Sequence, residues 1–327
     1  MGIMGSLQQL GGVVRRLYRP VAPLVLALVL LVLLAASRLP AQAAGDDARH
    51  VLVLGRISDD PARHHAQLQP LLDYVVARMG DVGITEGRIL MARDAQQMAS
   101  YLRRGRVDWV TETAGGAVLL AERSNAQPLL LAERNGASQY HSVFFVRRDS
   151  PIQSLQELTG RRLAVQEPMS TSAYMVPMTR LLASGVRPEI LMDLDDRPSA
   201  DRVGYLFARS ERNIATWVHR GQVDAGVFSN IDWDREQVLP AAWRRDMRII
   251  HRTDNYPRAL ELVREGLPPA VAARLRQVLL AASRDPQARP ALQQFFNTSG
   301  FSYVDPVSQQ RLDALRSGMR RVRMEVE

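Results

Sequence analysis

The stretch Tyr101-Leu102-Arg103-Arg104-Gly105-Arg106-Val107-Asp108-Trp109-Val110 returns later as Trp217-Val218-His219-Arg220-Gly221-Gln222-Val223-Asp224-Ala225-Gly226-Val227. Each version reads as the end of an amphipathic helix, a glycine, and a short strand. The glycine supplies the left-handed backbone that commonly closes a helix, at no steric cost. Met98 and Leu102 lie at helical spacing ahead of the first glycine, and Ile214, Trp217 and Val218 ahead of the second. A chain built on this unit twice points to two lobes made alike. A chance recurrence of a common helix–strand turn is the alternative.

Around the two units, strand and helix patterns alternate. Val51 to Leu54, Ile89 to Ala92, Leu129 to Ala132 and Ser142 to Val146 read as strands. Met247 to His251 and Leu260 to Val263 follow the same pattern. A helix is expected from about Ala62 to Met79, another is capped by Asp94, and a short one runs from Ser154 to Gly160. The C-terminal run is helical, with prolines at the helix starts. Such alternation predicts an α/β fold with largely parallel sheets covered by helices on both faces. Ligands then bind beyond the C-terminal ends of the strands.

The first 43 residues carry Arg15, Arg16 and Arg19, then an uncharged apolar run from Val21 to Ala36, then Leu39-Pro40-Ala41-Gln42-Ala43. That order is an export signal with a cleavage site after Ala43. The apolar run also comes near the minimum for a membrane anchor, should cleavage not occur. With no cysteine, a lipidated N-terminal cysteine, disulfides and thiolate metal sites are all excluded. The formal net charge is +8, of which four arginines in residues 1–43 account for half. In the rest of the chain arginines and acids are interspersed, without the basic stripe of a nucleic-acid binder. There is no phosphate-cradling glycine loop, no zinc spacing and no nucleophile elbow. An enzyme is not expected, nor is a cofactor. The adjacent His64-His65 pair reads as a solvated helix start.

Three hydroxyls crowd the segment Glu167-Pro168-Met169-Ser170-Thr171-Ser172-Ala173-Tyr174, at the start of a helix pattern. One hydroxyl suffices for a cap; three together also suit an anion site, where free N–H groups and the helix dipole attract an oxyanion. Pro177 falls inside this helix and interrupts it.

Taken in order, the Arg-Gly-x-Val-Asp units, Tyr140-His141-Ser142-Val143-Phe144-Phe145-Val146, Ser154-Leu155 to Gly160, and Ser170-Thr171-Ser172-Ala173-Tyr174 resemble the phosphate/phosphite/phosphonate-binding proteins of periplasmic ABC transport systems. The resemblance covers the chain from about Val51 to Phe301. It implies the bilobed type 2 periplasmic-binding architecture, two αβ lobes joined by two crossover strands. Residues 44–141 with 248–327 would form lobe one, and residues 142–247 lobe two. It implies capture of a small oxyanion or zwitterion for an inner-membrane ABC permease by a periplasmic protein, with a monomer as the expected state. The alternatives are an input protein read by a membrane sensor kinase, or a binder of another zwitterionic or cationic molecule.

The resemblance carries the oxyanion grip onto Ser170, Thr171 and Ser172, and Tyr174 completes that candidate segment. Thr111, Glu112 and Thr113 end a first-lobe strand and are expected to face the cleft; Ser229 and Asn230 repeat that position in lobe two. Tyr140 stands at the first crossover, where the family places an aromatic residue against its ligand, and His141 is read as a hinge residue. Asp108 and Asp224 are read as partners of their turns. Glu112 would repel a phosphonate unless the ligand also carries an amine, the carboxyl is protonated, or the residue caps the next helix. Ser210-Glu211 stands where phosphonate binders tend to have Ser-His. Glu211 therefore joins the candidates and hints at a ligand with positive charge.

Overall fold

The computed structural model describes residues 50–326; the expected export signal lies outside them. The chain begins with β1 (Val51–Ile57), α1 (Pro61–Val76), β2 (Glu86–Ala92), α2 (Ala95–Arg103), β3 (Trp109–Glu112), α3 (Ala114–Ser124) and β4 (Gln127–Arg134). The short strand β5 (Gln139–Tyr140) leads into β6 (Ser142–Arg147) and β7 (Arg162–Val165). A π-turn, Thr171–Met175, runs straight into α4 (Val176–Ala183), followed by β8 (Arg187–Ile190), β9 (Arg202–Phe207), α5 (Glu211–His219) and β10 (Ala225–Ser229). Two short helices, α6 (Asn230–Asp234) and α7 (Ala241–Arg245), precede β11 (Met247–Arg252) and β12 (Tyr256–Pro257). The chain ends in β13 (Ala259–Val263), α8 (Pro269–Ala282), α9 (Arg289–Gln294), β14 (Thr298–Ser302) and α10 (Pro306–Glu325).

The strands form two six-stranded sheets, ordered β14-β4-β13-β3-β1-β2 and β11-β6-β10-β7-β9-β8. In the first, β1 is parallel to β2 and β3, and β13 runs antiparallel beside β3. In the second, β10, β7, β9 and β8 are parallel, and β6 runs antiparallel beside β10. The two antiparallel neighbours have one cause. Each follows a crossing between lobes, so it enters where the parallel strands end and must run back against them.

The crossings pair with each other through β5 and β12, with Tyr140 opposite Tyr256. Strand β11 pairs with β6 in the second sheet. The chain thus returns at Tyr256–Pro257, later than the break before Arg248 suggested by the sequence.

The repeated units fold alike. Gly105 and Gly221 have φ of 60° and 69°. The next residue of each, Arg106 or Gln222, donates its N–H to the carbonyl of Tyr101 or Trp217, closing the helix end. Met98, Leu102, Ile214 and Val218 are fully buried, as the 3.6-residue period requires. Asp108 accepts the N–H of Val53 at 3.0 Å, and Asp224 accepts that of Arg162 at 2.8 Å. Both aspartates thereby fasten their turn to the neighbouring strand. The expected Ser154–Gly160 helix is shorter, a single 3-10 turn over Gln156–Leu158 closed by Gly160 at φ 76°.

Candidate ligand-binding cleft

The C-terminal ends of β1, β3, β7 and β10 face one another across a cleft of about 410 Å³. The hydroxyl-rich segment follows β7 directly. Ser170 caps the turn, its hydroxyl oxygen accepting the N–H of Ala173 at 3.2 Å. The turn is π rather than α: Met175 and Val176 donate their N–H groups to the carbonyls five residues back, those of Ser170 and Thr171. Pro177, just beyond, has no N–H to offer the Ala173 carbonyl. That carbonyl instead accepts the N–H of Gln166. The carbonyl is thus paired despite the proline, and Ser170, Thr171 and Ser172 stand on the cleft wall.

Thr171 does more than line the cleft. Its hydroxyl oxygen accepts the N–H of Gly115 at 2.8 Å and donates to Thr113 Oγ1 at 2.9 Å. Gly115 has to be a glycine at this contact, since a Cβ there would stand 2.3 Å from Met175 Sδ and 2.7 Å from Thr171 Oγ1. One side chain thus clasps the two lobes at the start of α3. Tyr140, from the first crossing, is buried with its phenol against the hydroxyls of Thr171 and Ser172. Burial raises its pKa, although the Arg258 guanidinium and the two hydroxyls pull the other way.

Glu112 lines the cleft but is not a bare charge. Arg56 Nη1 lies 3.3 Å from its Oε1, and its Oε2 accepts the N–H of Thr113, the residue that begins α3. The carboxylate is thus neutralised and serves the helix start. Ser229 also lines the cleft, caps α6 through Asp232 N–H at 3.0 Å, and donates to the Asp232 carboxylate at 2.6 Å. Glu211 sits at the same wall, half-buried, beside Asp232, Glu167 and Asp59. Burial, then Asp232, holds the Glu211 carboxyl above its usual range; burial, then Asp59, does the same for Glu167. Asp232 has Arg235 at 3.3 Å. The wall around Glu211 and Glu167 therefore favours a positive partner.

Three candidates are placed elsewhere. Thr111 is fully buried and donates to Glu261 Oε1 at 2.7 Å, inside a polar knot with Trp109 and Arg134. Its side chain points to the opposite face of β3 from its neighbour, the alternation that any strand imposes. Tyr174 packs against Tyr205 and Phe207, with ring centroids 5.9 and 5.3 Å away. Asn230 accepts the N–H of His141 at 2.9 Å and returns its own N–H to the His141 carbonyl, fastening lobe two to the crossing. In the other direction, His64 is buried, bonded to Ser58 at 2.6 Å and on the cleft wall, while His65 alone is solvated. Arg56, Asp59, Glu167, Asp232 and Arg258 were likewise missed as cleft residues. Glu167 opens the hydroxyl-rich segment, and Arg56 stands next to the end of β1, so both carried a positional signal; the others did not.

Residues 57–308 match the model of a family described as ABC transporter, phosphonate, periplasmic substrate-binding protein. The chain belongs to that family. Among solved structures it is similar to XAC2383 from Xanthomonas citri, described once bound to chloride ion and once bound to ATP. The identities are 56% and 54%, each with a TM-score of 0.80, covering 84% and 85% of this chain and 99% and 100% of the other. PhnD1 from Prochlorococcus marinus, in complex with methylphosphonate, shares the fold at 16% identity and TM-score 0.60, covering 84% of this chain and 98% of its own. The family is one of periplasmic proteins that serve ABC transporters by binding substrate, and the type 2 periplasmic-binding fold agrees with it.

Proposed function

We propose that this family member takes a phosphonate that also carries an amine, holding the oxyanion at Ser170–Ser172 and the amine at the Glu211–Glu167 wall, and hands it to an ABC permease. The observation that carries this reading is the charge layout. Hydroxyls and a helix entrance gather at the cleft wall beside two carboxylates, Glu211 and Glu167, that no ion pair engages among the described residues. An oxyanion gains charge-assisted hydrogen bonds, each worth about 1.5–3 kcal/mol, and the dipole of the helix. An ammonium gains the second set. Hinge closure about Gln139–Tyr140 and Tyr256–Pro257 would bury both ends together.

The Xanthomonas relative bound to ATP supports a second reading, a nucleotide whose phosphates use the same hydroxyl grip. A cleft of this volume falls within the usual range for drug-sized ligands. Thermal-shift measurements with an aminoalkylphosphonate, methylphosphonate and ATP separate the two. Preference for the amine-bearing phosphonate is expected; a shift with ATP alone would replace it with the nucleotide, and no shift with any of the three would reject both.

A further inference from the structure

Behind Thr113 the cleft adjoins a second chamber of about 420 Å³. Arg56, Thr113 and Arg258 line both spaces, and Arg134 lines the rear one. The Arg134 side chain is 4% exposed and has Glu261 at 3.7 Å. Among the described residues its Nε–H nevertheless meets no acceptor, and neither do the buried Nε–H groups of Arg56 and Arg258. Orphaned donors of this kind are rare in folded proteins, because each forfeits its hydration without replacement.

The charges do not balance either. Three guanidinium groups share this region with two carboxylates, Glu112 and Glu261. Burial, with Arg56 and Arg258 nearby, lowers the Arg134 pKa to about 9 in spite of Glu261. Phe296 lies 5.0 Å from the Arg56 guanidinium and 4.5 Å from that of Arg134. Its ring occupies guanidinium faces and leaves the N–H edges for a hydrogen-bond acceptor. Phe296 and Asn297 both hold positive φ, 54° and 50°, and both line the chamber. Two successive non-glycine residues in that conformation mark backbone strained at a site.

We propose that this rear chamber is a second anion site, taking a small inorganic anion of the halide or phosphate class among Arg56, Arg134 and Arg258. The anion supplies the missing acceptors and cancels the surplus charge. It is separate from the ligand held at Ser170–Ser172 and stands whatever that ligand is. Because Arg56 and Arg258 also face the cleft, an occupied rear site draws their charge backward and leaves the front wall more acidic.

The test uses sodium bromide against sodium gluconate at constant ionic strength, on the protein without its ligand. Bromide should raise the thermal midpoint by a few degrees in a saturating manner, as binding to the folded state alone requires. Arg258→Gln should remove the rise, and Ser170→Ala with Ser172→Ala should keep it. In bromide-soaked crystals the anomalous signal should fall among the three arginines, which settles the matter even if a variant folds poorly. Sodium phosphate in place of bromide shows whether a halide or an oxyanion is preferred. Equal midpoints in the two salts, or bromide found only at Ser170–Ser172, would overturn the proposal.

Discussion

The helix–glycine–strand unit is built twice, yet its two copies are anchored to different depths. Asp108 is buried, with Arg264 Nε at 2.8 Å as well as the Val53 N–H. Asp224 makes the equivalent backbone bond, but its side chain is 30% exposed and its arginines stand 3.9 and 4.0 Å away. The strands they introduce also end differently. β3 ends in Glu112, tied to Arg56, and hands over to α3, whose Gly115 N–H meets Thr171. β10 ends in Ser229, which engages Asp232 and leaves a wall of acids around Glu211. One scaffold thus supplies a face from lobe one on which Glu112 is paired with Arg56, and a face from lobe two on which acids gather around Glu211. Common local chemistry makes the lobes alike; the partners that other strands bring make them differ.

The sharpest way to break this comparison is to remove each aspartate in turn. Asp108→Ala should destabilise by about 3–5 kcal/mol, since it leaves a largely buried guanidinium without its partner. Asp224→Ala should cost about 1 kcal/mol, the worth of an ordinary hydrogen bond. Urea unfolding measures both, and equal losses would mean that the anchors are equivalent after all.

Ser170→Ala with Ser172→Ala should weaken oxyanion binding by roughly 100- to 10,000-fold, from two contacts of about 1.5–3 kcal/mol each. Its thermal midpoint should stay within a few degrees of the wild type, because a lost cap costs only about 1 kcal/mol. Calorimetric titration with methylphosphonate reads the first, a melting curve the second; undiminished affinity would remove the segment from the site.

Gly115→Ala probes the clasp. The added methyl must push Met175 and Thr171 away, so the closed form loses population and apparent affinity falls roughly tenfold through the reduced competent fraction. Small-angle scattering should report a larger radius of gyration with ligand present, and an unchanged radius with unchanged affinity would dismiss the clasp.

The smallest expected effect belongs to the acidic wall. Glu211→Gln should weaken an aminoalkylphosphonate several-fold and spare methylphosphonate. The sign of the pH dependence follows from the raised carboxyl: Glu211 takes up its proton at higher pH than a free glutamate. Binding of the amine-bearing ligand should therefore decline as the pH falls, beginning above the usual glutamate range, and the variant should flatten that decline. A profile identical in wild type and variant would exclude Glu211 from amine recognition.

Much of this was legible beforehand because it is local. The glycines at 105 and 221, the caps at Asp94 and Ser170, and the alternation of strand and helix each depend on a few neighbouring residues. Pro177 could be seen to interrupt a helix, but its consequence was not legible. Whether the freed Ala173 carbonyl finds a donor depends on where Gln166 lies. Thr111, Glu112 and Thr113 looked equivalent at the end of one strand. Strand alternation and the arrival of Glu261 from β13 sent Thr111 to the interior and left the other two at the cleft.

The sequence by itself pointed to two lobes made alike and supplied a helix entrance rich in hydroxyls after a strand of the second. Those are consequences of backbone sterics, side-chain period and hydrogen bonds within a turn. Only the tertiary structure decided which charges would be paired. Arg56 reaches Glu112, Arg264 reaches Asp108, and Glu211 meets Asp232 across stretches of chain that no local rule connects. Electrostatic energy depends on distance and burial in space, and both are set by how the sheets are assembled.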